Sequence, residues 1–275
     1  MSGPAAARRS VLFLPASNPR AIAKLATLAC DAAILDLEDA VAPEAKAAAR
    51  DAAAEAARSQ TVAIRINALD TPWGADDAAA AGEALAVVLP KVAGADDLHA
   101  ARAAVGADGP PLWAMIETCG AILHLPQIVA AAAATRCELL IAGTNDLAKD
   151  MRCRPGADRM PLVPALAQLV IAGRAAGLVV LDGVCNAIGD AERLAAECAQ
   201  GAALGFDGKT LIHPSQIDAA NAAFGPDAAQ IAWARSVVAA FAAPEAAGKG
   251  AIRLDGAMVE RLHLAEAERI LALVA

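Results

Sequence analysis

Short apolar runs alternate with longer, alanine-rich segments along most of the chain. The runs are continuous rather than alternating with polar positions, which is typical of strands that are buried on both faces. The segments between them carry helix signals, such as Ser17-Asn18-Pro19 at a helix start and Gly177 at a helix end. The eight runs that we predict as strands are Ser10–Leu14, Ala33–Leu37, Thr61–Ile66, Ala86–Leu89, Leu112–Ile116, Glu138–Ala142, Leu178–Leu181 and Gly208–Ile212.

Eight strand–helix units in succession predict a (β/α)8 TIM barrel, an α/β fold that typically takes about 250 residues. The structural alternative is a doubly wound open sheet, which would be favoured if two of the runs were helical. No G-x-G-x-x-G sequence follows any run, so the dinucleotide-binding version of that sheet has little support.

The last part of the chain differs from the repeating pattern. A helix-rich region, Pro214–Ala243, leads to a loose linker and then to a piece with a β-like run, Ala251–Leu254, a turn at Asp255-Gly256 and a helix from about Leu262. This piece is too short to fold alone. We therefore predict a barrel with trailing helices over residues 1–243, and a linker and C-terminal lid over residues 244–275 that docks on a neighbouring subunit.

Composition limits the possible partners. The chain is 57% hydrophobic and carries a net charge of −8, which argues against a general nucleic-acid binder. No apolar run approaches the ~18–20 residues of a membrane span. Arg8-Arg9 resembles the start of an export signal, but the apolar run that follows it ends at Pro15 and is too short for a signal core. The six cysteines form no C-x-x-C pair, so we expect a reducing, cytoplasmic location.

Polar side chains gather where the predicted strands end. In a barrel these carboxyl ends form the mouth that holds the active site. Several carboxylates meeting there would repel one another, so a cation should lie among them. Oxygen ligands without clustered His or Cys suggest Mg2+ rather than Zn2+, although any single carboxylate could instead cap a helix or form an ion pair. The polar residues in question are Asp36, Glu38, Asp39, Arg65, Asn67, Lys91, Glu117, Thr118, Asn145, Asp146, Asp182 and His213.

An ordered set of motifs resembles the citrate lyase β-subunit-like branch of the HpcH/HpaI aldolase group, which includes malyl-CoA and citramalyl-CoA lyases. The similarity runs from about Arg9 to Glu260. The matching stretches are Arg9-Ser10-x-Leu12-Phe13-x-Pro15, Leu35-Asp36-Leu37-Glu38-Asp39-Ala40-Val41-x-Pro43-x-x-Lys46, Ile64-Arg65-Ile66-Asn67, Leu89-Pro90-Lys91, Ile116-Glu117-Thr118, Gly143-Thr144-x-Asp146-Leu147 and Gly205-Phe206-Asp207-Gly208-Lys209-x-x-Ile212-His213-Pro214-x-Gln216.

The resemblance implies a TIM barrel in which Glu117 and Asp146 hold one Mg2+. It implies that Arg65 contacts the acyl carboxylate or the enolate oxygen, with Glu38, Asp39 and Lys91 around the substrate. The reaction it implies is reversible carbon–carbon cleavage of a short β-hydroxyacyl-CoA thioester to an acyl-CoA and a 2-oxo acid.

Two positions depart from the pattern of such relatives. Glu260 stands where lyase relatives carry a proton-donating aspartate delivered from a neighbouring subunit, and Asn145 stands where many carry glutamate. The resemblance also implies a homotrimer or homohexamer.

The phosphates of CoA require a local basic patch on this acidic protein. We expect Arg9, Arg20, Lys24 and Lys46 to provide it, although these side chains could equally be solvated helix faces. Three other functions remain open: an aldolase acting on a free hydroxy-oxo acid, a carrier-dependent citrate-lyase-like subunit without activity alone, and a CoA-thioester hydrolase, if the site admits water.

Overall fold

The computed structural model describes residues 7–274, and within them eight parallel strands close into a barrel. Each strand pairs with the next along the chain, and the first pairs with the eighth. The predicted (β/α)8 TIM barrel is therefore confirmed, and the open-sheet alternative is excluded. The strands are β1 (Ser10–Pro15), β2 (Ala32–Asp36), β3 (Val62–Arg65), β4 (Val87–Leu89), β5 (Leu112–Ile116), β6 (Cys137–Ala142), β7 (Val179–Asp182) and β8 (Gly208–Leu211).

Helices connect the strands and cover the outside of the barrel. Within residues 7–274, none has the length and apolar character that a membrane crossing requires. The helices of the barrel are α1 (Pro19–Lys24), α2 (Lys46–Ser59), α3 (Gly74–Ala80), α4 (Ala95–Val105), α5 (Cys119–Leu123), α6 (Leu125–Thr135), α7 (Thr144–Asp150), α8 (Val163–Ala175), α9 (Ala191–Leu204) and α10 (Ile217–Phe224).

The chain folds as two compact units, Arg8–Phe224 and a second one that contains residues 225–274. The second unit consists of α11 (Ala228–Ala242), a hairpin of β9 (Ala251–Leu254) and β10 (Ala257–Glu260), and α12 (Arg261–Ala272). We predicted the boundary after residue 243. The structure has it after residue 224, because α11 packs against α12 around a small apolar cluster of its own.

Side-chain alternation along each strand decides what faces the barrel interior. In β2, Ile34 belongs to a cluster inside the barrel, whereas Leu35 belongs to the layer between strands and helices. Because side chains on a strand alternate between its two faces, Asp36 shares the inward direction of Ile34. Arg65 and Glu117 share that direction with the inward-facing residues of β3 and β5.

Asp182 has the opposite alternation. It shares the outward direction of Val180, so the prediction that it joins the mouth is wrong. Its carboxylate lies in the helix layer, 2.9 Å from Nη1 of Arg159 and 2.9 Å from Nζ of Lys209. Glu197 on α9 completes this group, and all four side chains are buried. The four charges neutralise one another away from water.

Removal of the Asp182 carboxylate leaves two buried cations with one acid between them. We expect Asp182→Ala to lower the free energy of unfolding by about 3–5 kcal/mol, as is common when one partner of a buried ion pair is lost. Urea denaturation would measure this. The control is Glu55→Ala, which removes an exposed ion pair with Arg58 and should cost less than about 1 kcal/mol. Equal costs for the two variants would contradict the assignment.

Candidate active site

Arg65 is fixed at the mouth by two carboxylates. It pairs in register with Asp36 on the neighbouring strand. Its Nε and Nη2 each donate to one oxygen of Asp36 at 2.6 Å, and its Nη1 lies 2.8 Å from Glu38 Oε2. Burial opposes the charge of Arg65, but the Asp36 carboxylate outweighs it and raises the pKa of the guanidinium further. The side chain is thus a rigid, permanent cation.

Lys91 contacts three acidic residues, two through its ammonium group and one through its backbone. Its ammonium pairs with Glu38, and Asp39 Oδ1 lies 3.8 Å away. Its backbone N–H donates to Glu117 Oε1 at 2.6 Å. Lys91 adopts a left-handed backbone conformation with a φ of 51°, which is unusual for a residue with a side chain. The conformation turns the N–H toward Glu117 while the ammonium reaches Glu38.

Glu117 is the most perturbed acid at the mouth. It is 2% exposed, and burial raises its pKa to about 7. The Lys91 N–H opposes this rise, whereas the negative charge of Asp146 adds to it. Gly143 packs directly on the carboxylate, since a Cβ at that position would lie 2.4 Å from Glu117 Oε2. The fold therefore places two mutually repelling carboxylates together and leaves no room for a side chain beside them.

This pair fits a divalent cation. One oxygen of Glu117 accepts the Lys91 N–H, and the charge of Asp146 acts on the same carboxyl. Between residues 7 and 274, no three His, Cys, Asp or Glu side chains form a ready metal cage. Mg2+ does not need one, because it usually keeps several waters and uses one or two protein carboxylates plus the substrate. Glu117 and Asp146 are the residues that would hold it.

The site opens into a cavity of about 420 Å3, which we call the mouth cavity. A larger groove of about 880 Å3 lies beside it over the ends of β2, β3 and β4, and Asp39 lines both. Glu38 and Lys91 line the groove. The polar residues of the mouth cavity are Asp36, Asp39, Arg65, Glu117, Thr144, Asn145, Asp146 and Thr210.

Lys46 is not available for the role that we predicted. Its ammonium is buried and donates to the carbonyl oxygens of Leu37 (2.8 Å) and Glu38 (3.0 Å) and to Asn67 Oδ1 (2.8 Å). These three acceptors match the three N–H donors of an ammonium group, so none remains for a phosphate. Lys46 instead ties the ends of β2 and β3 together.

Asp77 on α3 extends this arrangement, although no sequence motif marks it. It is fully buried and accepts from the backbone and side-chain amides of Asn67 and from Nε of Arg50. Asp77 falls in the middle of a short helix that is rich in alanine, and nothing around it in the sequence signals burial.

The other predicted CoA contacts lie in two different places. Arg9 precedes β1, at the end of the barrel opposite the mouth, and its guanidinium forms two hydrogen bonds with Asp31. The structure therefore does not bring Arg9 to the mouth. Arg20 and Lys24 are exposed on α1, which follows the carboxyl end of β1. Their contact with CoA stays a prediction.

Glu260 ends β10 in the second unit. Its backbone N–H donates to Nδ1 of His263 in the first turn of α12 at 2.9 Å. The turn before β10 has positive φ at Asp255 (49°) and Gly256 (83°), as the Asp-Gly pair predicts for a tight hairpin. The role of Glu260 as a proton donor stays a prediction.

A closed parallel barrel with clustered charges at the carboxyl ends of its strands is the arrangement of a (β/α)8-barrel enzyme. The chain belongs to the HpcH/HpaI aldolase/citrate lyase family, whose sequence model matches residues 9–214. The expected family is thus confirmed, and it is a family of lyase type.

Named relatives cover almost the whole chain. A (3S)-malyl-CoA thioesterase of Cereibacter sphaeroides is 45% identical over 273 residues, which cover 96% of this chain and 93% of the relative. An L-malyl-CoA/beta-methylmalyl-CoA lyase of the same species is 33% identical, with 97% and 94% covered. The protein CitE of Mycobacterium tuberculosis, solved with magnesium, acetoacetate and coenzyme A, superimposes with a TM-score of 0.79 at 32% identity over 98% of this chain and 99% of that one.

The raised pKa of Glu117 predicts a pH-dependent effect of Glu117→Gln. In the metal-free protein the charged carboxylate opposes folding. The resulting loss in the free energy of unfolding is absent below a pH of about 4.5 and grows as the pH rises to about 7. Above that pH the loss is on the order of 3 kcal/mol. We therefore expect Glu117→Gln to be more stable than the wild type at pH 8 in EDTA, by urea denaturation, and the difference to shrink toward pH 5.

Added Mg2+ provides the control for this prediction. It should stabilise the wild type and leave Glu117→Gln unchanged, because a ligand stabilises only the state that binds it. The same stability difference at both pH values, or an equal response of both proteins to Mg2+, would contradict the assignment of Glu117.

Proposed function

We propose that this protein is a Mg2+-dependent enzyme that acts on a short β-hydroxyacyl-CoA thioester with a carboxylate on its acyl part. The observation that carries the proposal is the Glu117–Asp146 pair, which lines one cavity together with Arg65. The volume of that cavity, about 420 Å3, suits a small acyl group but not a whole CoA. The CitE structure with magnesium and coenzyme A supports the same pairing of metal and ligand.

The residues of the mouth would have different roles in this reaction. Glu117 and Asp146 would hold Mg2+, which when bound supplies Lewis acidity to the hydroxyl and carboxylate oxygens of the substrate. Arg65 has a second Nη2 hydrogen that Asp36 does not take, and it would donate this hydrogen to the thioester oxygen. Asp36 and Glu38 keep the guanidinium in place, so no reorganisation is needed as charge develops.

Two reactions are compatible with this arrangement, because both put negative charge on the thioester oxygen. In hydrolysis, water adds to the carbonyl carbon, the C–S bond breaks, and CoA leaves with a proton as the free thiol. In carbon–carbon cleavage, the hydroxyl loses its proton, the bond between the α and β carbons breaks, and an acid protonates the resulting enolate carbon. Arg65 stabilises the charged oxygen in either case.

We favour hydrolysis. The 45% identity to a (3S)-malyl-CoA thioesterase supports it, as does Glu260 at the position where lyase relatives carry aspartate. A carboxyl group one methylene further out is displaced by about 1 Å, which can cost on the order of 100-fold in rate. Reversible cleavage remains the second candidate, supported by the 33% identity to a malyl-CoA lyase.

The remaining parts of the proposal concern binding and assembly. CoA phosphates would contact Arg20 and Lys24, and Glu38, Asp39 and Lys91 would surround the acyl group. In the cleavage reaction, Glu260 would donate a proton from a neighbouring subunit. The protein would form a homotrimer or homohexamer in the cytoplasm. An aldolase acting on a free acid would not need CoA, and a carrier-dependent subunit would show no turnover alone.

The products of (3S)-malyl-CoA distinguish the two reactions. The full-length protein with Mg2+ should release malate and free CoA if it hydrolyses the thioester, and acetyl-CoA and glyoxylate if it cleaves the carbon–carbon bond. Mass spectrometry in D2O separates them further, since cleavage places deuterium on the acetyl methyl group. Glu117→Gln is the matched inactive control. Absence of any Mg2+-dependent turnover would overturn the proposed substrate class.

Arg65→Lys tests the oxygen contact. Lysine keeps the charge but loses the paired N–H geometry that Asp36 holds, so we expect kcat to fall about 100- to 1000-fold, the usual cost of losing one such donor. Mg2+ affinity, measured by calorimetry, should change little. A kcat near that of the wild type would show that Arg65 does not contact the reacting oxygen.

A further inference from the structure

The helix that carries Asp146 is short and is attached at both ends. α7 spans only seven residues, with Asp146 in its first turn and Asp150 at its end. A helix of this length is marginal by itself, so its position depends on its contacts with the rest of the protein. Those contacts reach the strand-end loops on both sides, after β5 and after β7.

The first attachment is a reciprocal amide pair. Asn145 Nδ2 donates to Asn186 Oδ1 at 3.2 Å, and Asn186 Nδ2 donates to Asn145 Oδ1 at 2.6 Å. Asn186 belongs to the loop after β7. Gly183 in the same loop packs against Thr144, where a Cβ would lie 2.3 Å from the threonine hydroxyl oxygen. The start of α7 is therefore fixed against the β7 side of the mouth.

The second attachment is on the β5 side. Asp150 Oδ2 accepts from the backbone N–H of Cys119 at 2.7 Å. Cys119 begins α5, two residues after Glu117. The N-cap residue Thr118 uses its hydroxyl for the N–H of Ala121. The N–H of Cys119 is one of the donors that a helix start leaves without a partner, and Asp150 supplies the acceptor.

We propose that Asp150 is a positioning residue of the Mg2+ site, which fixes the helix carrying Asp146 to the segment carrying Glu117. The inference rests on the proposed function, since it assumes that these two acids hold the ion. Without the ion the two carboxylates repel each other, and the fold must hold them together against that force. The Asp150–Cys119 hydrogen bond joins their two segments directly, so it reduces the reorganisation that Mg2+ binding requires.

Asp150 is exposed, so its removal leaves no buried group unpaired and the protein should remain folded. We expect Asp150→Ala to weaken Mg2+ binding about tenfold, in the range usual for residues that orient metal ligands. Asp150→Asn keeps an oxygen acceptor for the Cys119 N–H and should stay within about threefold of the wild type. Calorimetric titration of the substrate-free protein with Mg2+ measures both.

Asp190→Ala is the matched control. Asp190 also accepts a backbone N–H at a helix start, from Arg193 at 3.0 Å, but its helix α9 carries neither Glu117 nor Asp146. The variant should lose a comparable helix cap and keep its Mg2+ affinity. Hydrogen exchange should be faster at Cys119 in Asp150→Ala and unchanged there in Asp190→Ala.

Two results would overturn the proposal. One is Mg2+ binding by Asp150→Ala that equals the wild type. The other is an equal loss in Asp150→Asn and Asp150→Ala, which would assign the effect to the charge rather than to the hydrogen bond. A wild-type protein that binds no Mg2+ would instead overturn the proposed function, and the positioning role with it, so the two failures are distinguishable.

Discussion

The mouth of the barrel holds two acidic residues, Glu117 and Asp146, near enough for the charge of Asp146 to add to the effect of burial on Glu117. Burial and the neighbouring acid together keep the pKa of Glu117 near 7, so the folded protein holds a carboxyl that resists ionisation until a cation neutralises it. Two contacts hold the Glu117 carboxylate in place. The Lys91 N–H donates to one of its oxygens, and Gly143 packs against the other. The repulsion between the two acids is the physical basis for the proposal that the pair binds a cation.

The other charged side chains near the site form ion pairs, and these pairs fix the position of each cationic group. Arg65 is neutralised by Asp36 and Glu38, and Lys91 shares Glu38. Glu38 thus joins the guanidinium inside the mouth cavity to the ammonium in the groove. In the proposed function, the metal would supply the main attraction for an anionic substrate, because protein carboxylates neutralise most of the charge of Arg65 and Lys91. The proposed metal site would then favour ligands that chelate through two adjacent oxygens.

Much of this could be predicted from the sequence, and the errors have physical causes. The continuous apolar runs located all eight strands, because strands buried on both faces leave a strong signal. The position of Asp182 at a strand end did not show its direction. Asp182 lies two residues after Val180, which faces the helix layer, so the alternation of the strand places Asp182 in that layer, opposite to Asp36. Lys46 and Arg9 could not be assigned from charge alone, because a lysine that donates to three oxygens and a lysine in water look the same in a sequence.

Gly143 has a consequence for attempts to alter the substrate range of this barrel. A Cβ at this position would lie 2.4 Å from both the Cβ and Oε2 of Glu117, so any other amino acid would displace the Glu117 side chain. Changes to the shape of the mouth cavity are therefore better made at other residues that line it, such as Phe13, Met115 or Val184. A library that randomises the whole rim would lose most of its members at this one position, whatever chemistry the other substitutions introduced.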